Sequence, residues 1–389
     1  MASGGIRLNR RRVLQSLLLA GVGGCEVRQP EEGAASQFPS VAELLQSDAE
    51  GFERIDAVPD LVFPRDHGPH PSTRHEWWYL TATLKSAQGR IFGVQWSQFR
   101  LGLAPGTGQR FSPWASRQAW MCHVAMGEEG AGWFQAEQRL AREALGIAGG
   151  QADPLRVWMD DWQLGRTGGS DREPEMALSF RTRTMGASLQ WVPLKPLVLQ
   201  GEGGYSRKGD DPGNASCYYS LPRLQVSGTV IRGDESVAVQ GLGWFDREWG
   251  SGALERGSGG WDWFALHLED GRELMYYRLR RENGSISPWS AGVLIDQEGG
   301  VRSLSSDRVS LTPGLTWSSP ESGRHYPVEW RFLCEDPPLD LLLKARFPNQ
   351  ELLFKPTTYW EGMVTAQSRG GEEPLYGEGF LELVGYRPT

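Results

Sequence analysis

From Arg74 onward this chain is written in short stretches of alternating apolar and polar residues. Examples are "HEWWYLTATL" (75–84), "RIFGVQWSQF" (90–99), "ALSFRTRT" (177–184), "WDWFALHL" (261–268), "ELMYYRLR" (273–280) and "GFLELVGY" (379–386). A period of two sends successive side chains to opposite faces of a strand, and the Gly, Pro and Asp between the stretches supply turns. Almost nothing carries the 3.6-residue period of a helix; the one short helix expected is "VAELLQSDAEGF" (41–52). Many short strands joined by tight turns build sandwiches or barrels, so the fold class expected is all-β.

The length, 389 residues, favours two domains over one. A weak internal echo agrees: Trp78-Tyr79-Leu80, a turn and Gly89-Arg90-Ile91-Phe92 resemble Trp263-Phe264-Ala265, a turn and Gly271-Arg272-Glu273-Leu274. The Gly- and Pro-rich stretch 199–222 reads as the connector. The organisation expected is an export signal (1–25), a polar spacer (26–50), a first β domain with its connector (51–222) and a second β domain (223–389).

The N-terminus "RLNRRRVLQSLLLAGVGGC" has the basic start and short apolar run of an export signal, too short to span a bilayer. Arg10-Arg11-Arg12 resembles a twin-arginine motif, and Val22-Gly23-Gly24-Cys25 a bacterial lipobox with Cys25 as the lipidated residue. The expectation is an exported lipoprotein, periplasmic or in the cell envelope, attached to a membrane only through Cys25. The chain carries a net charge of −8, and loss of residues 1–25 leaves 36 basic against 48 acidic residues. Such a chain is a poor ligand for nucleic acid or anionic membranes. Cys122, Cys217 and Cys334 remain, too few and too far apart for a cysteine zinc site.

Carboxylates set among aromatic residues are the chemical signal. In "GWFDREWGSG" (243–252) alternation puts Trp244, Asp246 and Glu248 on one face, and Phe245, Arg247 and Trp249 on the other. Acids two residues apart on a strand have Cα atoms about 6.5 Å apart, close enough to couple when water is excluded. Burial and a like charge both raise a carboxyl pKa, which keeps a proton donor neutral near pH 7. The structural alternative is an acid paired with Arg or capping a turn.

Asp270-Gly271 reads as a two-residue hairpin loop, which sets His267 opposite Leu274 and Asp262 opposite Leu279. One face would then hold Asp262, Phe264, Met275, Tyr277 and Leu279, and the other Trp261, Trp263, His267, Tyr276 and Arg278. Asp262 is thus a lone charge on an apolar face, where an unpaired carboxylate is costly. His267 lies among aromatics, where a hydrogen-bonded structural histidine is the plainer reading. Glu76 shares a face with Trp78, and Trp360-Glu361 repeats the pairing of acid and ring. Asp66, His67, His70, His75 and Glu76 gather in "DHGPHPSTRHEWW", but the spacing matches no compact metal motif and the Gly and Pro content reads as loop. No metal or cofactor is expected. Nucleophile-elbow, P-loop, dinucleotide and His-Glu-x-x-His motifs are all missing, which leaves acid–base work without a cofactor, or binding alone.

Taken together, "FPRDHGPHPSTRHEWWYLTATL", "VWMDDWQL", "GEGGYSRKGDDPGNASCYYSLPRL", "GWFDREWGSG", "GWDWFALHLEDGRELMYYRLRR", "SPESGRHYPVEWRF" and "YWEGMV" resemble exported, lipocalin-like proteins related to carotenoid 1,2-hydratase, the AttH-like group. The resemblance runs from about residue 60 to the end. It implies two consecutive lipocalin-like antiparallel β-barrels with a hydrophobic ligand site at or between them. It also implies hydration of isoprenoid double bonds or related chemistry on greasy substrates, with an ABC-type transporter as partner for the exported branch. Such proteins also carry the label of secreted hydrolase, for which this chain has no nucleophile motif.

The expectation is therefore hydration or dehydration of an isoprenoid- or lipid-like molecule. Asp246 or Glu248 would be the general acid, the other would orient water, and Asp262 and His267 stand in reserve. Glu76, Trp78, Trp244, Trp261, Trp263, Tyr276, Tyr277, Trp360 and Glu361 would line the ligand, and Trp faces would stabilise a developing cation. The alternative is a non-catalytic, lipid-anchored carrier of a lipophilic ligand.

Overall fold

The computed structural model describes residues 49–388, apart from 107–111, 113–114, 253, 355–356 and 371–372. The signal, Cys25 and residues 41–48 of the stretch expected as a helix lie outside the described residues; its last four, 49–52, are turn and loop. Among the described residues the chain is all strand and loop, with a single 3-10 turn at Arg65–His67.

The first sheet is built from β1 (His75–Ser86), β2 (Ile91–Gly102), β3 (Gln118–Glu128), β4 (Trp133–Arg142), β5 (Ala148–Ala152), β6 (Leu155–Met159), β7 (Trp162–Gly169), β8 (Pro174–Arg181), β9 (Met185–Pro193), β10 (Val198–Leu199), β11 (Tyr205–Arg207), β12 (Ala215–Arg232) and β13 (Glu235–Gly250). Its order is β4-β3-β2-β1-β13-β12-β9-β8-β7-β6-β5, with β10 and β11 on β12. The second is built from β14 (Ser258–Leu268), β15 (Glu273–Arg281), β16 (Ala291–Ile295), β17 (Val301–Ser305), β18 (Val309–Pro313), β19 (Thr316–Ser318), β20 (His325–Pro327), β21 (Glu329–Cys334), β22 (Leu339–Ala345), β23 (Glu351–Leu352), β24 (Tyr359–Ser368) and β25 (Tyr376–Val384). Its order is β17-β16-β15-β14-β25-β24-β22-β21-β18, with β23 on β24 and β19–β20 as a separate hairpin.

In each sheet the first strand sits between the second strand and the last, so the sheet rolls up into a nearly closed antiparallel, lipocalin-like barrel. Arg139 of β4 helps tie the edges of the first: it pairs with Asp161 and stacks 3.9 Å over the Trp162 ring. The chain passes from one sheet to the other between Gly250 and Ser258. The stretch 199–222, read from sequence as the connector, instead supplies β11 and half of β12, which pair within the first barrel. Gly and Pro there mark turns and a bulge rather than a boundary.

Alternation places Trp78, Leu80, Trp96, Trp162 and Trp191 inside the first barrel, and Phe264, Leu266, Tyr276, Trp330 and Trp360 inside the second. A third cluster lies between the barrels and joins Tyr79, Tyr218 and Trp244 of the first to Trp263, Tyr277 and Met363 of the second. A bulge in β12, between Leu221 and Leu224, helps form the joint. Pro222 has no N–H for the ladder; its carbonyl accepts from His267 Nε2 at 3.0 Å, while Arg223 reaches Glu273 of the second barrel. Lys195 Nζ meets the same Glu273 at 2.6 Å.

The β14–β15 hairpin corrects the register expected from sequence. Its loop has three residues, Glu269-Asp270-Gly271, closed by Leu268 N–H to Arg272 O at 2.8 Å and Gly271 N–H to Leu268 O at 3.0 Å. Gly271 takes φ +85°, the left-handed position such loops place before the returning strand. His267 therefore faces Glu273, and Asp262 faces Arg278. One extra loop residue flips the whole of β15: Met275, Tyr277 and Leu279 join the Trp263 face, while Tyr276 and Arg278 join Asp262 inside the barrel. The internal echo shifts by one residue as well. Glu76-Trp77-Trp78 of β1 corresponds by face to Asp262-Trp263-Phe264 of β14: acid inward, Trp toward the other barrel, ring inward.

Candidate active site

Between the barrels lies a partly open cavity of about 90 Å³, several times the roughly 10–15 Å³ that one water needs. The first barrel contributes Trp77 and Tyr79 from β1, Phe99 from β2, Tyr218 from β12 and Asp246 and Glu248 from β13, with Lys208 from the loop after β11. The second contributes Trp261 and Trp263 from β14, Tyr277 and Leu279 from β15, Tyr359 from β24 and Glu382 and Val384 from β25. Apart from Lys208, these are outward-facing positions of both barrels; Tyr79, Tyr218, Asp246, Glu248, Trp263 and Tyr359 are buried where each barrel covers the other, and Trp77, Phe99, Trp261 and Glu382 are part-exposed.

The face predicted for "GWFDREWGSG" holds. Asp246 and Glu248 face the cavity; Phe245 and Trp249 belong to the first barrel's core. Trp244 lies behind the cavity wall and donates its Nε1–H to Asp246 Oδ1 at 2.7 Å. Ser220 donates to the same oxygen at 2.5 Å, and Tyr218 O–H donates to Oδ2 at 2.8 Å. Burial pushes Asp246 up to about 7, against the opposing pull of these three donors and with help from the nearby Glu248 charge. Glu248 accepts Lys208 Nζ in an ion pair and Ser216 O–H at 2.5 Å.

On the opposite wall Glu382 is pushed up to about 7, chiefly by burial and partly by the charges of Asp246 and Glu248. Trp261 donates its Nε1–H to Glu382 Oε2 at 2.7 Å. Glu382 stands directly across the β24–β25 ladder from Glu361, where like charges repel at close range. Burial and the Glu382 charge push Glu361 well above the usual carboxylate range; Tyr79 O–H donates to it at 2.5 Å, and Gln95 Nε2 bonds its other oxygen.

The remaining sequence candidates lie elsewhere. Asp262 is inside the second barrel, not a lone charge: Arg278 Nη2 meets it at 2.7 Å, Arg280 Nε at 3.2 Å, and Tyr386 O–H donates at 2.9 Å. Tyr276 and Trp360 fill the same interior. His267 donates Nε2–H to the carbonyls of Pro222 and Gly243 at 3.0 and 3.2 Å, and burial holds it down at about 4. Glu76 and Trp78 are inside the first barrel. Burial opposes the charged form of Glu76, but Arg100 and Arg247 outweigh it and hold the carboxyl well below its usual range. Arg247, which turns away from its neighbours Asp246 and Glu248 as the alternation requires, stacks 3.9 Å over the Trp78 ring. Asp66 and His70 join this cluster, His70 at 3.2 Å from Asp66 and stacked on Trp249.

The cavity thus brings together Asp246, Glu248, Trp261, Trp263 and Tyr277 of the sequence candidates, with Trp244 and Glu361 behind its walls. Sequence reasoning missed Glu382 and Lys208. Glu382 was legible: "GFLELVGY" puts Phe380, Glu382 and Val384 on one face, an acid among apolar residues. Lys208 had no local signal, because its partner Glu248 is forty residues away.

Three comparisons with known proteins bear on this site's ancestry. No curated protein matches the sequence. The crystal structure of a protein described as an AttH from Nitrosomonas europaea has 33% identity and a TM-score of 0.75, covering 86% of this chain and all of that one. Kievitone hydratase from Nectria haematococca has 15% identity and a TM-score of 0.65 over 87% of this chain and 96% of that one, a likeness of fold. The AttH-like family model matches residues 54–386, both barrels and the whole cavity between them, and this chain belongs to the AttH-like family.

Proposed function

We propose that this protein hydrates, or in reverse dehydrates, a hydrophobic isoprenoid- or lipid-like molecule in the cavity between its barrels, by acid–base chemistry that uses no cofactor. The observation that carries the reading is Asp246: a buried carboxyl held by three fixed donors, with its proton retained to about pH 7, facing aromatic walls. The same two-barrel fold also builds kievitone hydratase, which makes the reading compatible with the architecture.

The neutral Asp246 gives its proton to one alkene carbon, and the cation on the neighbouring carbon is stabilised by the faces of Trp261 and Trp263. Glu248, fixed by Lys208 and Ser216, holds a water by accepting one of its hydrogens. The water oxygen bonds to the cationic carbon and its released proton returns to Asp246, so the sum is alkene plus water to alcohol.

The test is incubation of the purified protein with a panel of terpenoid alkenes and its own co-purifying lipophiles in ¹⁸O-labelled water. Wild type is expected to incorporate the label, with kcat lowered at least ~100-fold in Asp246→Asn, the range for loss of a general acid. Label incorporation undiminished in both Asp246→Asn and Glu248→Gln rejects the residue assignment. A ligand retained unchanged, with no product from any alkene, makes the protein a carrier instead.

A further inference from the structure

The charge pattern of the cavity bears on which lipophile it accepts, an inference that rests on the reading of this cavity as the ligand site. Asp246, Glu248 and Glu382 face into it, with Glu361 directly across the ladder from Glu382. Lys208 is the one cation among the described residues that line it. Its ammonium has three hydrogens, and three acceptors engage them: Ser206 Oγ at 3.1 Å, Ser216 Oγ at 3.0 Å and Glu248 Oε1. The indole N–H groups beside the acids are engaged too, Trp244 by Asp246 and Trp261 by Glu382. An anionic head group entering here meets carboxyl groups on both walls and no cation with a free hydrogen. A hydroxyl or ammonium meets acceptors on both walls, and the apolar tail meets Trp77, Phe99, Trp263 and Leu279.

We propose that the cavity selects a lipophile whose polar end is an uncharged or cationic hydrogen-bond donor, and rejects carboxylate and phosphate lipids. Among isoprenoids it would take free alcohols and refuse their diphosphates; among simple lipids it would refuse fatty acids.

Two matched pairs of probes test this, with binding to the purified protein followed by tryptophan fluorescence and calorimetry near pH 7.5. The pairs are geraniol against geranyl diphosphate and octylammonium against octanoate. Geraniol is expected to bind at least tenfold more tightly than its diphosphate, and octylammonium at least tenfold more tightly than octanoate, with geraniol displacing octylammonium. The double variant Asp246→Asn/Glu382→Gln is expected to shrink the ammonium-to-carboxylate preference at least tenfold.

The proposal is overturned if octanoate or geranyl diphosphate competes with geraniol at equal or greater affinity. It is also overturned if the double variant keeps the preference, or if none of the four probes binds. The two readings fail separately. Binding in the expected order with no labelled product from any alkene removes the hydratase reading alone, whereas hydration by a protein that prefers octanoate removes the head-group inference alone.

Discussion

Glu76 and Asp246 are carboxyls on paired neighbouring strands with opposite fates. Glu76 points into the first barrel, where two guanidiniums and the His70 backbone N–H, 3.0 Å from each of its oxygens, hold it charged. Asp246 points outward to hydroxyl and indole donors without a cation, and burial holds it neutral to about pH 7. This fixes the sign of its effect on stability. Below the ordinary aspartate value of 3.8 the folded and unfolded chains both carry the proton. Between that value and about 7 only the unfolded chain releases it, so stability falls as pH rises, by at most ~1.4 kcal/mol per pH unit, and levels off above. Asp246→Asn keeps the shape, can accept from Ser220 and Trp244, and removes that penalty. Its melting temperature relative to wild type is expected to climb between pH 4 and 7; a difference that stays flat across that range would contradict the assignment.

At the scale of the element, one hairpin loop decides which half of β15 faces the cavity. Three residues in the loop rather than two put Tyr277 and Leu279 in the cavity and Tyr276 in the core. Gly271 holds this geometry at φ +85°, where a Cβ costs roughly 1–2 kcal/mol for most residues and less for Asn. Gly271→Ala is therefore expected to lower stability by ~1 kcal/mol in denaturant unfolding, and Gly271→Asn by less. Equal losses for both would mean that the left-handed backbone is not what selects glycine. The Gly260 bulge at the start of β14 makes a similar demand: a Cβ there would lie 2.1 Å from the Val384 carbonyl oxygen. It sits just before Trp261, Asp262 and Trp263, whose facing it helps to set.

At the scale of the whole molecule, the site exists because two barrels cover each other. Neither alone forms the cavity, since Asp246 and Glu248 come from one and Glu382 and Trp263 from the other. The joint relies on Glu273, a second-barrel carboxylate buried between Lys195 and Arg223 of the first. Removing one partner of a buried ion pair leaves charge without compensation and typically costs about 3–5 kcal/mol. Glu273→Gln is expected to lower the melting temperature and to split calorimetric unfolding into two steps, one per barrel. An unchanged single transition would show that the apolar contacts alone couple the barrels. What the sequence by itself determined is the period-two alternation, and with it the all-β class and the facing of Asp246 and Glu248 opposite Arg247, because alternation is a local property of the backbone; the two barrels were implied only by the family resemblance. Only the tertiary structure decided which acids are neutralised. Asp262 and Glu76 have the same local signature as Asp246 and Glu382, an acid among apolar residues, yet the first two point inward to arginines brought by other strands and the last two outward to a shared cavity. Electrostatic partnership is set by distance in space, and in a sheet those distances follow from register, which one loop residue can reverse.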